Sequence, residues 1–399
     1  MPTSPEPMAL PSAAGGSGLH ILGAAARSAT PDLARLIAPQ AGPAGLYAGC
    51  RQPRHRDFCI ARVAAGGRRR AVAATTPAER AFFAHRRFAL ADGQPRRDIL
   101  LVPPLSGSFP ILMRDLVLAL LPAFTVHVVD WANVRHVDAA AGPFSFSDNV
   151  DAVVATARAL PQDAAILGLC QGGVPALAAA AVLEAEDRPA GAVALLGAPI
   201  RPSANPTRVV RLVRSTPQWW LPIAAGHRVA RGEAGEGRLV YPAESQLQVL
   251  LGYCARHFAQ RGEIHAKLTA DDGLDAAAFP FADMLTSMMD IDARHFVENL
   301  TVVFHRDGLA GGAVSHGGRR VDPRAIRRTR LITIEGAADD IAAPGQTRAA
   351  HDLCPALPGD ARAAVVVPGC GHFSLFHGRR CRDEVAPLIA RFCANGQAA

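Results

Sequence analysis

The segment 164–173 constrains the fold of this chain more than any other. An apolar run, residues 164–169, ends in Gly-Leu-Cys-Gln-Gly and passes directly into an alanine-rich stretch that is typical of a helix. A Gly-x-nucleophile-x-Gly sequence between a strand and a helix predicts a sharp turn that lifts the middle side chain clear of the sheet. A side chain at 168 or 172 would collide with neighbouring backbone in such a turn, so glycine is required there. Cys170 is therefore the candidate nucleophile.

Short apolar runs alternate with helical segments from Asp98 onward. This alternation predicts at least six buried strands in a parallel sheet, because strand-helix-strand units place consecutive strands side by side and parallel. The runs cover residues 99–102, 126–130, 164–169, 192–196, 331–334 and 364–367. The pattern predicts an α/β protein with a mostly parallel sheet flanked by helices. Together with the turn at Cys170, it indicates the α/β-hydrolase fold.

The runs also suggest a division of the chain into parts. Residues 1–45 are rich in Ala, Gly, Pro and Ser and are predicted to form a low-complexity, mobile N-terminal segment. Residues 46–200 and 329–399 are predicted to form the α/β-hydrolase core. Residues 201–328, called the cap below, show helical periodicity around 246–260 and 281–304 with little strand patterning. We expect the cap to be a helical insertion in the core.

A nucleophilic thiol requires a base, and the base requires an acid that orients it. His372 lies in a glycine-lined loop after the last apolar run, and Asp339 follows the run before it. The order nucleophile, acid, histidine is the one that α/β-hydrolases use, and all three residues would meet at one edge of the sheet. Asp340 could serve in place of Asp339. We favour Asp339 because it lies three residues after Gly336, the usual offset for this acid in the fold.

Acyl transfer also requires an oxyanion hole, normally built from the backbone N–H after the nucleophile and one from a loop after an early strand. Gln171 supplies the first donor. The second is expected from the loop after the run 99–102. Pro103 and Pro104 have no N–H, which leaves Leu105 or Ser106.

Composition excludes several other functions. The net charge is +7 and Lys267 is the only lysine, but the arginine runs at 68–70 and 319–320 are interpreted as solvated surface, so no nucleic-acid partner is expected. The eight cysteines show no paired Cys-x-x-Cys spacing, so we expect mostly free thiols and no metal or organic cofactor. The first residues lack the features of a secretory signal, and no apolar run reaches membrane-spanning length. These features favour a cytoplasmic protein that does not span a membrane.

From about Asp98 to its C-terminus the chain resembles the intracellular polyhydroxyalkanoate depolymerases, α/β-hydrolases that mobilise stored poly(3-hydroxybutyrate) with a cysteine nucleophile. The likeness is strongest at 335–341. The matching stretches are 104–107, 130–135, 197–200, 205–207, 288–290, 335–341, 344–347, 350–354 and 368–372. On this resemblance Cys170, Asp339 and His372 fall on the triad of the family. The N-terminal hundred residues match only weakly.

The resemblance implies cleavage of polyester at a storage granule through a thioester on Cys170, with water or coenzyme A as the acceptor. One departure leaves alternatives open: Gly172-Gly173 after Gln171 is closer to the polyhydroxyalkanoate synthases, whereas the depolymerases usually have proline after Cys-Gln. The sequence around Asp339 favours the depolymerase. The alternatives are a synthase or general cysteine-type esterase, and a non-catalytic granule-binding protein. Trp219 and Trp220 of the cap could dock on the granule or pack within the cap.

Overall fold

A nine-stranded sheet forms the centre of the described part of the chain, residues 57–394 of a computed structural model. The predicted N-terminal segment 1–45 and Cys50 lie outside the described residues. The strands are β1 (Arg62–Ala65), β2 (Arg68–Glu79), β3 (Phe83–Leu90), β4 (Arg97–Val102), β5 (Phe124–Trp131), β6 (Ala165–Leu169), β7 (Ala192–Leu196), β8 (His227–Arg228), β9 (Leu239–Tyr241), β10 (Ile291–Asp292), β11 (Ser315–His316), β12 (Arg319–Arg320), β13 (Arg330–Gly336) and β14 (Arg362–Val367).

Helices cover the sheet and account for most of the regular secondary structure in the cap. Short 3₁₀ and π turns join several of them. The α-helices are α1 (Arg114–Leu120), α2 (Phe146–Arg158), α3 (Gly173–Ala185), α4 (Arg208–Ser215), α5 (Leu221–Ala224), α6 (Ala243–Ala259), α7 (Glu263–Thr269), α8 (Phe281–Thr286), α9 (Ala293–Asn299), α10 (Ala350–Leu353) and α11 (Ala386–Ile389). Local chemistry explains where some begin: the Ser145 side chain accepts from the Asp148 N–H, and the Asp148 carboxylate accepts from the Ser145 N–H, which caps α2.

The strand order is β1-β2-β3-β5-β4-β6-β7-β13-β14. From β5 to β14 every neighbouring pair is parallel, whereas β1, β2 and β3 are antiparallel to their neighbours. Strands β6 and β7 are buried along their whole length, as expected of parallel strands covered on both faces. This mostly parallel sheet flanked by helices confirms the predicted α/β-hydrolase fold.

The register brings the ends of the central strands to one edge. Val102, the last residue of β4, pairs with Gly168 of β6, and Leu169 pairs with Leu196 of β7. Ile334 of β13 also lies beside Leu196. The loops that follow β4, β6, β7 and β13 therefore emerge side by side, which is where α/β sheets carry their functional groups.

Strands β1 to β3 were not predicted from the sequence. Most residues of β2 are exposed, so the strand shows neither a continuous apolar run nor a regular alternation. It is held by antiparallel pairing with β3, which in turn pairs with β5. These contacts are set by the rest of the sheet, and a local pattern does not reveal them.

The chain between β7 and β13 carries α4 to α9 and five short strands. Strands β8, β9 and β10 form a small antiparallel sheet and β11 pairs with β12; the nine-stranded sheet includes none of the five. The sequence showed little strand patterning within 201–328, so these five short strands were not expected. The domain boundaries themselves stay a prediction. No helix within residues 57–394 combines the length and apolar character needed to cross a bilayer.

Candidate active site

Cys170 lies at the junction of β6 and α3. A 3₁₀ turn, Cys170–Gly172, connects the two elements. The backbone of Cys170 has a φ of 50°, in the left-handed region that a residue with a side chain seldom adopts. Cys170 is half-buried at the edge of the sheet. Such strain at the candidate nucleophile is the geometry expected of the predicted turn.

The glycines around Cys170 are required by space. A Cβ on Gly168 would lie 2.6 Å from the Cα of Gly173, and a Cβ on Gly172 would lie 2.2 Å from the carbonyl oxygen of Val102. Both contacts are with backbone, which confirms the prediction that side chains at 168 and 172 would collide. Gly173 is equally constrained, because its Cβ would lie 2.3 Å from the Cβ of Ala198.

His372 and Asp339 form a buried pair at the same edge. His372 follows β14 and Asp339 follows β13, and Nδ1 of the histidine lies 2.7 Å from Oδ2 of the carboxylate. Both residues are only 4% exposed. The other carboxylate oxygen, Oδ1, accepts from the backbone N–H groups of Ile341 at 2.9 Å and Ala342 at 2.8 Å. Asp339 is thus fixed by its own loop and faces the imidazole with one oxygen.

The surroundings of His372 favour its protonated form. Burial lowers the pKa of an imidazole, but Asp339 and Cys170 act in the opposite direction, by charge and by hydrogen bonding. Together they raise the pKa of His372 well above its ordinary value of 6.5. The histidine therefore has a carboxylate on one side and the thiol on the other, an arrangement that can hold a thiolate beside an imidazolium.

Asp340, the alternative acid, faces away from His372. Its carboxylate accepts hydrogen bonds from Tyr253 at 2.8 Å, Arg256 at 2.9 Å and His257 at 3.2 Å, all on α6. Burial acts to raise the pKa of Asp340, but these hydrogen bonds and charges outweigh it and lower the pKa. The two adjacent carboxylates thus have different surroundings, and the pair with the histidine is made by Asp339.

The loop after β4 lies against the turn at Cys170. Leu105 is buried and Ser106 exposed, and a Cβ on Gly172 would also lie 2.8 Å from the Pro103 carbonyl oxygen. Gln171 has its side-chain oxygen 2.7 Å from the amide nitrogen of Asn299 at the end of α9. Gln171 lies in the turn after β6, and Leu105 and Ser106 lie in the loop after β4. The candidate oxyanion-hole residues therefore belong to two loops that contact each other.

The cap contacts the same loop. The Met289 N–H donates to the Gly107 carbonyl at 2.7 Å, and the Phe109 N–H donates to the Ser287 carbonyl at 3.0 Å. These bonds lie where the predicted periodicity over 281–304 is interrupted: α8 ends at Thr286 and α9 begins at Ala293. The helix stops there because the cap backbone pairs with the loop after β4.

Sequence reasoning missed several residues that support the site. Gly197 has a φ of 49°, and its Cβ would lie 3.1 Å from Oδ2 of Asp339 and 3.3 Å from Cε1 of His372. Glu335, buried on β13, accepts from the N–H groups of residues 345, 347 and 348 and so holds the loop that follows Asp339. The sequence signal available for Gly197 was its position directly after a predicted strand.

One group within residues 57–394 has the spacing of a metal site: Asp271, Asp272 and His377. Lys267 lies among these residues, with its Nζ 3.4 Å from Oδ1 of Asp272 and 3.4 Å from Nδ1 of His377. The lysine supplies the positive charge that a metal ion would bring. The seven cysteines within the described residues are free thiols, as predicted for them.

The strand order and the turn at Cys170 define the class of protein, an α/β-hydrolase. A model of the family described as PHB de-polymerase C-terminus matches residues 197–397, just over half of the chain, and the chain belongs to this family. PHB is poly(3-hydroxybutyrate). The protein is therefore a hydrolase that cleaves carboxylic esters, which argues against the hypothesis of a non-catalytic granule-binding protein.

The comparison with solved structures found hydrolases and a thioesterase domain among its matches. A hydrolase from Pseudomonas aeruginosa PA01 is 15% identical with a TM-score of 0.42, covering 81% of this chain and 98% of its own. A monoacylglycerol lipase from Paleococcus ferrophilus is 14% identical with a TM-score of 0.43, covering 78% and 98%. The thioesterase domain from the curacin biosynthetic pathway is 10% identical with a TM-score of 0.42, covering 81% and 99%. No curated protein matches the sequence significantly.

Proposed function

We propose that the protein is an intracellular poly(3-hydroxybutyrate) depolymerase that uses Cys170 as nucleophile, His372 as general acid and base, and Asp339 to orient the histidine. The observation that carries the proposal is the buried pair of His372 and Asp339, 2.7 Å apart, beside a cysteine in a strained turn. Membership of the PHB depolymerase family supports the polyester substrate.

The chemistry follows from these positions. The Cys170 thiolate attacks the ester carbonyl, and the new C–S bond places a negative charge on the carbonyl oxygen. The N–H of Gln171 and that of Leu105 or Ser106 stabilise this oxyanion. The intermediate collapses to a thioester as the C–O bond breaks, and the His372 imidazolium gives its proton to the departing alkoxide.

The second half of the reaction frees the enzyme. His372 takes a proton from the acceptor, which attacks the thioester and expels the Cys170 sulfur. Water as the acceptor gives a hydroxyacid, and coenzyme A gives a hydroxyacyl-CoA. We propose no metal or organic cofactor, with coenzyme A as a possible co-substrate only. The triad supplies the nucleophile, the proton transfers and the orientation of the base.

The cap offers a surface suited to an insoluble polyester. Trp219 is 70% exposed and Ile223, four residues further on, is 59% exposed. Leu212 on the neighbouring α4 is 55% exposed. A contiguous group of exposed large apolar side chains is typical of an interaction site, whereas single ones are common on any surface. We propose that this group, called the apolar patch, binds the surface of polyester storage granules in the cytoplasm.

The proposal is tested with amorphous poly(3-hydroxybutyrate) granules. We expect wild type to release soluble 3-hydroxybutyrate or its coenzyme A thioester, and Cys170→Ala to release neither. Comparing release with and without coenzyme A identifies the acceptor. Hydrolysis of small soluble esters without release from granules would favour a general cysteine-type esterase. Polymerisation of 3-hydroxybutyryl-CoA would favour a synthase.

A further inference from the structure

The cap holds the loop that carries His372. Glu263, the first residue of α7, accepts a hydrogen bond from the backbone N–H of Phe373 at 3.1 Å and another from that of Ser374 at 2.6 Å. Phe373 bonds to Oε2 and Ser374 to Oε1, so each carboxylate oxygen takes one donor. These donors belong to the two residues that directly follow His372.

The loop is shaped to admit this carboxylate. A Cβ on Gly371 would lie 2.4 Å from Oε2 of Glu263, so a larger residue at 371 would push the carboxylate out of its present position. The backbone of residues 371–374 therefore surrounds the carboxylate, with His372 in the middle of the segment. Hydrogen bonds to a charged acceptor are stronger than neutral ones, so this contact restrains the loop well.

The position of His372 depends on two restraints from opposite sides. Asp339 fixes the Nδ1 side of the ring from the core. It does not determine how far the opposite side of the ring lies from Cys170, because that distance also depends on where the backbone of residue 372 sits. Glu263 fixes the backbone just beyond His372 from the cap.

We propose that Glu263 is a positioning residue that sets the distance between the His372 imidazole and the Cys170 sulfur. The cap is then part of the catalytic framework as well as a cover for the substrate. The proposal rests on the proposed function only in requiring that Cys170 is the nucleophile. A misplacement of about 1 Å in a reacting group can cost roughly 100-fold in rate, so a change at Glu263 is expected to affect kcat strongly.

Two substitutions separate the contributions of the carboxylate. Glu263→Gln keeps one acceptor oxygen and places an amide group against the other N–H, so we expect kcat on a soluble butyrate ester to fall about tenfold. Glu263→Ala removes both bonds and is expected to lower kcat about 100-fold. KM should change less than about twofold in both variants, because Glu263 acts on the base and not on substrate binding.

The matched control is Glu236→Gln. Glu236 is also a cap glutamate that accepts a backbone N–H, that of Gly232 at 3.2 Å, but it belongs to a different loop. We expect its kcat to stay within about twofold of wild type. Thermal melting of each variant shows whether it folds, and Glu263→Gln carries the test if Glu263→Ala does not fold.

A second measurement is independent of any ester substrate. The rate at which iodoacetamide alkylates Cys170 at neutral pH, followed by peptide mass spectrometry, reports how well the imidazolium stabilises the thiolate. We expect this rate to fall at least fivefold in Glu263→Ala and to be unchanged in Glu236→Gln. A lower melting temperature with unchanged kcat and alkylation rate would overturn the proposal. Ester hydrolysis that persists in Cys170→Ala would instead refute the proposed function.

Discussion

Replacing Asp339 with asparagine removes the charge that faces His372 and keeps the size of the side chain. The asparagine oxygen still accepts from the N–H groups of Ile341 and Ala342 where Oδ1 now does. Its amide group then faces Nδ1 of His372, which must become an acceptor. The proton moves to Nε2, and the ring can no longer take a proton from Cys170.

The size of the effect follows from the burial of the pair. Both residues are only 4% exposed, so without the carboxylate the imidazolium that the reaction requires is a buried charge with no partner, which costs about 3–5 kcal/mol. Because about 1.4 kcal/mol corresponds to a factor of ten in rate, Asp339→Asn is expected to lower kcat/KM between roughly 150-fold and roughly 5,000-fold. The loss should appear mainly in kcat, since Asp339 is directed at the base.

Asp340→Asn is the matched control, an identical change one residue away. Its carboxylate holds Tyr253, Arg256 and His257 and does not touch His372. We expect the fold loss in kcat/KM of Asp340→Asn to be at least about ten times smaller than that of Asp339→Asn. The assay is hydrolysis of a chromogenic butyrate ester by variants whose melting temperatures have been compared. Equal losses in the two variants, or a larger loss for Asp340→Asn, would refute the assignment of Asp339 as the orienting acid.

Three further predictions follow from other parts of the molecule. Gly172→Ala places a Cβ within 2.2 Å of a backbone carbonyl oxygen, so it should lower the free energy of unfolding in urea by about 1–3 kcal/mol. The control is Gly359→Ala, whose Cβ would have no atom within 4 Å and which should change the free energy of unfolding by less than about 0.5 kcal/mol. Burial lowers the pKa of His295 to about 3, so the unfolded chain takes up a proton near pH 6.5 that the folded chain does not. The free energy of unfolding is therefore expected to fall as the pH falls from about 6.5 towards 3. In urea unfolding at several pH values, His295→Gln should reduce the slope of the free energy of unfolding against pH by up to about 1.4 kcal/mol per pH unit. Replacing both Trp219 and Ile223 with serine should weaken binding to polyester granules at least about tenfold in a sedimentation assay while leaving soluble-ester hydrolysis unchanged; unchanged sedimentation would exclude the apolar patch as the docking surface.

Most strands that the sequence predicts lie in the buried centre of the sheet. The run 364–367 was also predicted as a buried strand, but β14 is the edge strand and only its last residue is buried. Strands β6 and β7 are buried on both faces, so they appear as continuous apolar runs. Strand β2 is exposed over most of its length and gives no such signal. Pairing with β3 determines its conformation, and that pairing is a long-range property.

The same distinction applies to the site. Cys170, Asp339 and His372 were recognisable because each lies within a few residues of the end of a strand and the fold brings these strand ends together. Glu263 could not be recognised from the sequence, because the loop that it contacts lies 110 residues further along the chain. Asn299 was missed for the same reason, since its partner Gln171 is 128 residues away. Such contacts depend on how the cap sits on the core, which periodicity does not encode.

Some stretches that match the depolymerases make contacts between the cap and the core, which are visible only in the structure. Two of the matching stretches, 130–135 and 288–290, are far apart in sequence but touch. Asn133 accepts from the Asp290 N–H at 3.2 Å, and Arg135 pairs with the Asp290 carboxylate at 2.7 Å. Residues 205–207 likewise contact the loop after Asp339, where the Thr207 hydroxyl donates to the Ile341 carbonyl at 3.2 Å. These stretches join the cap to the core beside the candidate site.

The most direct test of the central claim is to identify the residue that carries the acyl group during turnover. Wild-type protein is mixed with a soluble 3-hydroxybutyrate ester oligomer, quenched in acid and mapped by peptide mass spectrometry. We predict a 3-hydroxybutyryl group on Cys170, and neither adduct nor turnover in Cys170→Ala. An acyl group on another residue, or full turnover by Cys170→Ala, would contradict the account.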